Sequence, residues 1–219
     1  MRLKKLNDIQ KLVAVSLCFT LLLLFIRAFY TGSLTYFFYP WNLFLATVPL
    51  FFSGLLLKQK TLNYKSIFLL GLWLLFLPNA PYLVTDIFHY QERPPVPMWF
   101  DLMLVVSGAW NGVLLCMISL LRVERFLRTR YKSRFIDAIM FVLLLLCGYG
   151  IYIGRYLRYN SWDIITEPVN IIKSSTHHVY HPLQNLNVWL FTLVFAIFLG
   201  IIYFTIKKLP QALYRQRQF

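Results

Sequence analysis

Six stretches of apolar residues dominate the chain, and each approaches the length that a membrane-spanning helix requires. A hydrocarbon core about 30 Å thick is crossed by roughly 20 helical residues. The stretches cover residues 12–29, 36–57, 67–84, 99–121, 135–157 and 188–206. This pattern predicts an all-α fold, a bundle of six transmembrane helices that forms a single membrane domain over residues 1–219.

The third apolar stretch is interrupted by two prolines in the run Pro78-Asn79-Ala80-Pro81. Proline ends or kinks a helix because it lacks a backbone N–H and its ring clashes with the preceding turn. The carbonyls freed by such a break are tolerated at membrane depth only where they face protein or water. We therefore expect this segment to form a wall of a cavity.

Composition supports the membrane assignment and changes the interpretation of the charge. The chain is 59% hydrophobic and only 14% charged, with a mean hydropathy of +0.61, whereas soluble domains are roughly 25% charged. A net charge of +14 would suggest nucleic acid as the partner of a soluble protein. Here the basic residues form short clusters between apolar runs, so we predict that they orient the protein in a bilayer and bind no nucleic acid.

The distribution of basic residues predicts the orientation. Seventeen of the 22 lysines and arginines lie in the two tails and in the second and fourth connections. Cytoplasmic segments carry this excess, so both termini are predicted to be cytoplasmic. The cluster from Arg122 to Arg134 would then face the inner leaflet. Anionic lipids there attract it by about 1 kcal/mol per basic residue, which predicts the lipid bilayer, and its anionic inner-leaflet lipids in particular, as partners.

All four histidines and five of the eight acidic residues fall on the other, outer side. The first pair there, Asp86 and His89, is three residues apart and shares a face if the segment is helical. That spacing suits a metal site or a general base oriented by a carboxylate. The alternative is an aspartate that only hydrogen-bonds the histidine or a helix end.

The start of the fourth stretch carries a second polar cluster, in Trp99-Phe100-Asp101 and Trp110-Asn111-Gly112. Asp101 is either a functional acid or a first-turn acid that the helix dipole favours. Asn111 would lie near the middle of the membrane, where a primary amide needs partners. Gly108 and Gly112 beside it indicate close helix packing, so a packing role competes with substrate binding.

The segment from Gly154 to Asp163 opens the longest outer connection and contains Arg155, Arg158 and Asn160. The charge asymmetry does not account for two arginines on this side. Arginine offers a planar fork that matches phosphate or carboxylate groups. The arginines therefore bind a ligand, pair with Asp86, Asp101 or Asp163, or extend to the lipid headgroups.

The same connection contains His177 and His181, four residues apart. This spacing binds metal when it is helical. A surface loop rich in histidine and tyrosine is the alternative. Together with His89 and a nearby carboxylate, the two histidines would suit a divalent metal such as zinc.

Four segments together resemble a known family: Leu77 to Asp86, Trp99-Phe100-Asp101, Trp110-Asn111-Gly112, and Gly154 to Asp163. The chain is similar here to the bacterial membrane proteins called domain of unknown function 1361, from about the second span to the sixth. The resemblance implies a multi-pass protein of the bacterial plasma membrane. It implies nothing about a reaction.

The concentration of ionisable groups on one side favours a membrane-embedded hydrolase or transferase that acts on a lipid or lipid-linked substrate at the outer face. Alternatives are a transporter or channel component, which should carry polar residues through the bilayer, and a structural or accessory subunit without catalysis. The candidate catalytic residues are Asp86, His89, Asp101 and Asp163. The candidate substrate-binding residues are Asn79, Asn111, Arg155, Arg158 and Asn160. The candidate metal ligands are His89, His177 and His181.

Overall fold

The structure is a computed structural model that describes the backbone of residues 8–216 and the side chains of residues 8–88 and 90–210. The described residues are helical throughout apart from short connections, and they contain no strand. The helices are α1 (Asp8–Thr31), α2 (Phe38–Leu56), α3 (Tyr64–Phe76), α4 (Asn79–Tyr82), α5 (Met98–Arg128), α6 (Ser133–Tyr152), α7 (Asp163–Thr166), α8 (Pro168–Tyr180) and α9 (Leu186–Gln216). A 3₁₀-helix follows α4 at Leu83–His89, and a π-helical turn follows α6 at Ile153–Leu157.

Six segments of the described chain are long and apolar enough to cross a membrane: Asp8–Thr31, Phe38–Leu56, Tyr64–Phe88, Met98–Arg128, Ser133–Leu157 and Leu186–Pro210. They overlap all six predicted stretches, so the predicted all-α membrane fold is confirmed. The fourth span extends well past residue 121 because charged residues continue the helix as far as Arg128. The cytoplasmic location of the termini remains a prediction.

Helix α5 is the central element of the bundle. Within its most apolar 18 residues 72% are buried, against 17% for the corresponding part of α1. It packs on α1, α2, α4 and the 3₁₀-helix, while α6 and α9 form the second large helix pair. The broken third span therefore lies against the most enclosed helix.

Glycines on α5 and α6 make room for the broken third span. A methyl group added at Gly112 would overlap the carbonyl oxygen of Ala80, and one added at Gly150 would overlap the ring of Pro78. The segment between the two prolines can therefore approach both helices closely because neither has a side chain at the contact. Glycine at these two positions allows the bent third span to pack against α5 and α6.

Polar contacts in the middle of the bundle join α1 to α5. Asn111 donates to the backbone carbonyl of Ser16 (3.1 Å) and to the hydroxyl of Thr20 (2.8 Å), and Thr20 in turn donates to Ser107 (3.0 Å). Asn111 is completely buried. The structure thus gives Asn111 interhelical partners, as a packing role requires, and places it away from the histidines.

A charged network joins α5, α6 and α9 at the end of the bundle that lies opposite the break in the third span. Glu124 is bonded to Arg128 (2.6 Å) and to Lys207 (2.5 Å), and Asp137 contacts the same two cations at 2.5 and 3.5 Å. Two acids and two bases compensate one another, so Glu124 can be almost fully buried. We call this the basic end, and the end that carries residues 90–97 and 158–185 the histidine end.

Candidate functional site

A cavity of about 420 Å³ opens at the histidine end between α2, the broken third span, α6 and the connection that follows α6. Its wall brings together two segments that are about 75 residues apart in sequence. This agrees with the expectation that the two prolines mark a cavity wall. The polar residues of the wall are Asn42, Asn79, Tyr82, Tyr149, Tyr159, Asn160 and Ser161.

The end of α6 shapes one side of this cavity. The helix widens into the π-helical turn Ile153–Leu157 and stops at Arg158, which has a left-handed backbone with φ of 61°. A residue other than glycine adopts this conformation at a cost of roughly 1–2 kcal/mol, and such costs cluster at functional sites. The turn directs Arg155 into the protein and leads Tyr159 to Ser161 across the cavity.

Arg155 and Asp86 form a buried pair behind the cavity wall. The Arg155 Nη2 atom lies 3.4 Å from Asp86 Oδ1, and the two side chains are 9% and 2% exposed. Arg155 also donates to the Tyr82 hydroxyl (3.1 Å) and to the Thr85 carbonyl. Arginine has five N–H donors, so these contacts leave some of its capacity for a ligand.

The Asp86 carboxylate has a buried oxygen, Oδ2, without a hydrogen-bond partner among the described residues. The Asn42 side chain approaches this carboxylate and also lines the cavity. A buried acceptor without a partner costs roughly 1–3 kcal/mol, more when it is charged. Neither Asp86 nor Arg155 reaches the cavity surface, but both lie directly behind Asn42 and Tyr82, which do.

Asn79 and Ser161 connect the two segments of the wall. The Asn79 Nδ2 atom donates to Ser161 Oγ (2.8 Å) and to the carbonyl of Phe76 (3.0 Å), while Ser161 donates to the carbonyl of Leu75 (3.2 Å). Leu75 and Phe76 belong to the last turn of α3, and the last carbonyls of a helix have no partner within that helix. The break in the third span is therefore closed by the second segment of the wall.

Asp101 pairs with a residue that the sequence interpretation had not linked to it. Arg27 Nε donates to Asp101 Oδ1 (2.6 Å) and Nη2 donates to Oδ2 (3.1 Å), with both side chains almost fully buried. The pair joins α1 to α5 and does not line the cavity. Arg27 lies inside a predicted span, and a charged residue there needs a partner. The sequence therefore indicated that Arg27 has an acidic partner, but it could not identify that partner as Asp101.

Asp163 and Asn160 form a local turn at the start of α7. Asp163 accepts hydrogen bonds from the Asn160 backbone N–H (2.6 Å), the Asn160 amide (3.2 Å) and the Thr166 hydroxyl (3.1 Å). The Asn160 backbone N–H is the main reason that the pKa of Asp163 is lowered. Asn160 lines the cavity, whereas Asp163 and the exposed Arg158 do not.

His177 lies in the last turn of α8, but His181 follows the helix with a non-helical backbone (φ of −122°), so the helical spacing that the metal hypothesis required is not formed. The described residues also contain no group of three or more His, Cys, Asp and Glu placed to hold a metal ion. The His177 and His181 rings are 5.0 Å apart, and Asn185 lies 3.3 Å from His177 Nδ1. His178 is buried beside the Tyr149 hydroxyl at 3.0 Å. The His89 side chain lies outside the described residues, so its metal and catalytic assignments remain predictions.

Asn42 and Tyr82, which adjoin the buried pair, are among the polar wall residues that the sequence interpretation did not include in the site. Tyr82 is one of many tyrosines near the ends of spans, where interfacial aromatic residues are common. Asn42 is a single polar residue near the start of an apolar stretch. A polar side chain at that depth is a signal, but only the folded chain places it next to Asp86.

Comparison with known proteins identifies a family but no function. No curated protein and no solved structure matches the chain. A family model matches residues 41–202, well over half of the chain and from the start of α2 into α9. The match contains all four segments on which the resemblance was based. The chain belongs to the family described as "Protein of unknown function (DUF1361)".

Proposed function

We propose that the protein is a membrane-embedded hydrolase or transferase that acts on a lipid or lipid-linked substrate in the cavity at the histidine end. The charge distribution favours an outward-facing histidine end, and we take the membrane to be the plasma membrane because the family resemblance implies it. The observation that carries the proposal is the buried Asp86 carboxylate directly behind a polar cavity wall: one of its oxygens lies 3.4 Å from Arg155, and the other has no hydrogen-bond partner among the described residues. An incompletely paired buried carboxylate next to a polar cavity is a candidate functional group.

The composition of the cavity supports an amphiphilic substrate. Apolar residues such as Leu45, Leu74 and Ile153 cover much of the wall, and amide and hydroxyl groups form the rest of it. Such a cavity can hold an acyl or isoprenoid segment and the first polar group of a headgroup. Arg155 supplies positive charge behind Tyr82, which favours a phosphate or carboxylate in that position.

The proposed chemistry is transfer of a phosphoryl or acyl group with Asp86 as proton acceptor. The O–H bond of water, or of an acceptor alcohol, breaks as its oxygen bonds to phosphorus or to the carbonyl carbon. The proton passes to Asp86, the bond to the leaving oxygen breaks, and that oxygen receives the proton. Tyr82 and Asn42 lie between Asp86 and the cavity, so a hydrogen-bonded path through them, or a small movement of either side chain, is part of the proposal.

The test uses the whole protein in vesicles that contain phosphatidylethanolamine, phosphatidylglycerol and a polyprenyl phosphate. Lipid products are followed by mass spectrometry over time. We expect new lipid species with the wild type and their loss in Asp86→Asn, Arg155→Lys and Tyr82→Phe. Asp8→Asn is the matched control, because it neutralises an exposed aspartate in α1 that pairs only with Lys11 in the described structure.

Lipid bound to the purified protein is measured in parallel. Turnover that requires Asp86 supports the proposal. Bound lipid without turnover of any of the three lipids would contradict the enzyme and favour the accessory subunit. Turnover that survives Asp86→Asn would exclude Asp86 as the proton acceptor.

Binding of anionic inner-leaflet lipids at the basic end is a separate part of the proposal. Arg122 and Arg130 donate to backbone carbonyls, and Arg128 pairs with acidic residues. These three arginines are therefore engaged in contacts within the protein. Arg125 and Lys132 are exposed. Exposed cations of this kind are the ones that can contact lipid phosphates, and replacing them with glutamine should reduce retention of phosphatidylglycerol.

A further inference from the structure

Helix α8 presents three different faces, although it lies in a connection outside the six candidate spans. Successive residues of an α-helix are about 100° apart. Ile171, Ser175 and His178 therefore point in roughly one direction. Val169, Ile172 and Val179 point in a second direction, and Asn170 and His177 in a third. Each of these faces has its own chemistry.

The first face packs on the protein. Ile171 lines the cavity, and His178 is buried between the Tyr149 hydroxyl and the Trp189 indole, which donates to the His178 carbonyl at 3.2 Å. Tyr149 and Trp189 belong to α6 and α9. Helix α8 is thereby held against the ends of two candidate spans, and its residue Ile171 forms part of the cavity wall.

The second face is apolar and uncovered in the described structure. Val169, Ile172 and Val179 are 73%, 65% and 60% exposed. Thr176 lies within the same face and Tyr180, 76% exposed, at its border. The spacing of three and four residues makes a continuous stripe along the helix. Scattered exposed apolar residues need no explanation, but a stripe of this kind marks a contact surface.

The third face is polar. Asn170 and His177 lie on it, with Lys173 at the border of the apolar stripe. A helix with one face on protein, one apolar and one polar is arranged as expected at the boundary between a membrane and water. Of the histidines in the metal hypothesis, His177 lies on the water-facing side in this arrangement.

Exposed apolar residues also follow the stripe along the chain. Leu183 is 80% exposed, and Leu186 and Leu190, which belong to the candidate span of α9, are 52% and 57% exposed. At the other end of the connection, Trp162 precedes α7 and contacts Trp41 at the start of α2. Tryptophans at span ends mark the headgroup region. Both ends of the connection are therefore at the depth of the lipid headgroups.

We propose that α8 lies in the headgroup region of the leaflet at the histidine end, with Val169, Ile172 and Val179 in contact with acyl chains. The occupant of this surface is the bilayer. Helix α8 then borders the cavity at headgroup depth, so a ligand enters from the leaflet beside it. The inference depends on the geometry of α8 and stands whether or not the protein is an enzyme.

The test measures the surroundings of each position along α8 with nitroxide labels on single cysteines. Cys18 is exposed and is first replaced by alanine, while Cys116 and Cys147 are buried. The full chain is placed in vesicles of phosphatidylcholine and phosphatidylglycerol. Collisions with oxygen, which concentrates in lipid, and with a nickel chelate, which remains in water, are then recorded.

We expect the ratio of oxygen to nickel-chelate collisions to be several-fold higher at positions 169 and 172 than at the matched positions 170 and 173. Position 176 on the stripe provides a second test if a label at 172 disturbs folding. Equal, high nickel-chelate collisions at all positions would place α8 in water and overturn the proposal. Low collisions with both reagents on the stripe would show that protein, such as a second copy of the chain, covers it, which also overturns the proposal.

Discussion

Two buried arginine–aspartate pairs lie at the histidine end, and they differ in how completely the charges satisfy one another. In the pair Arg27–Asp101, two nitrogens meet two oxygens at 2.6 and 3.1 Å. In the pair Arg155–Asp86, one nitrogen lies 3.4 Å from one oxygen, and the other oxygen has no partner among the described residues. We call the first the closed pair and the second the open pair.

The difference shows which pair stabilises the fold and which has capacity for a ligand. A bidentate pair uses the carboxylate geometry fully and adds specificity to the packing of two helices. Arg27 is further held by the Tyr36 ring, 4.7 Å from its guanidinium carbon. In the open pair, the arginine also donates hydrogen bonds to the Tyr82 hydroxyl and to the Thr85 carbonyl. Residue types are identical in the two pairs, so geometry alone separates them.

Breaking the closed pair should lower the free energy of unfolding more than any other change proposed for the two pairs. Removing one partner of a buried ion pair costs about 3–5 kcal/mol because the other charge remains buried. Arg27→Met should therefore lower the free energy of unfolding strongly, and Asp101→Leu similarly. The measurement is denaturant unfolding in detergent micelles.

The double variant Arg27→Met with Asp101→Leu serves as the control for the closed pair. It should recover most of the stability because it leaves no unpaired charge. A double variant as unstable as the sum of the single variants would show that the pair does not act as a unit.

Displacing the segment that carries the open pair should have the next largest effect. Gly112→Val places a side chain against the Ala80 carbonyl, and overpacking of this kind typically costs about 1–3 kcal/mol. The matched control is Gly71→Ala, where nothing lies within 4 Å of the added methyl group. It should gain up to about 1 kcal/mol from helix propensity. Equal thermal stabilities of the two variants would contradict the close approach of the third span to α5.

Neutralising the aspartate of the open pair should have a small effect on stability. Asp86→Asn removes a buried charge that one long contact compensates poorly, and Arg155 keeps the Tyr82 hydroxyl and the Thr85 carbonyl as acceptors. We therefore expect a change of about 1 kcal/mol or less. Asp101→Asn should cost clearly more in the same unfolding assay. If the two substitutions destabilise the protein equally, the distinction between a closed and an open pair fails.

Asp163 provides an exposed reference for the two buried aspartates and should show the smallest effect. Its pKa is lowered in the folded protein below the ordinary value of 3.8. The stabilisation of the turn is therefore complete above pH 3.8 and is lost as the pH falls through the lowered pKa. The protection factor against hydrogen exchange, which corrects for the intrinsic pH dependence of the exchange rate, should decrease as the pH falls through this range for a wild-type peptide that spans residues 158–167. Asp163→Asn should remove that pH dependence.

The contrast between the pairs also shows where prediction from the sequence stops. The sequence predicted ionisable residues at one end of the bundle and included Asp86, Asp101 and Arg155 among the candidates. It could not decide between a ligand and an internal partner for any of them, because a pairing depends on the rotation of each helix. Arg27 was visible as a charge in a span, but any of several acids could have been its partner.

What the sequence determined by itself was the set of spans and the break in the third one. Those features follow from apolar runs of membrane length and from the backbone chemistry of proline, which are local along the chain. The tertiary structure decided that Asn79 meets Ser161, that Gly112 receives the Ala80 carbonyl and that Asp86 keeps one oxygen without a described partner. Those contacts join residues far apart in sequence, and their distances depend on how the helices rotate and pack.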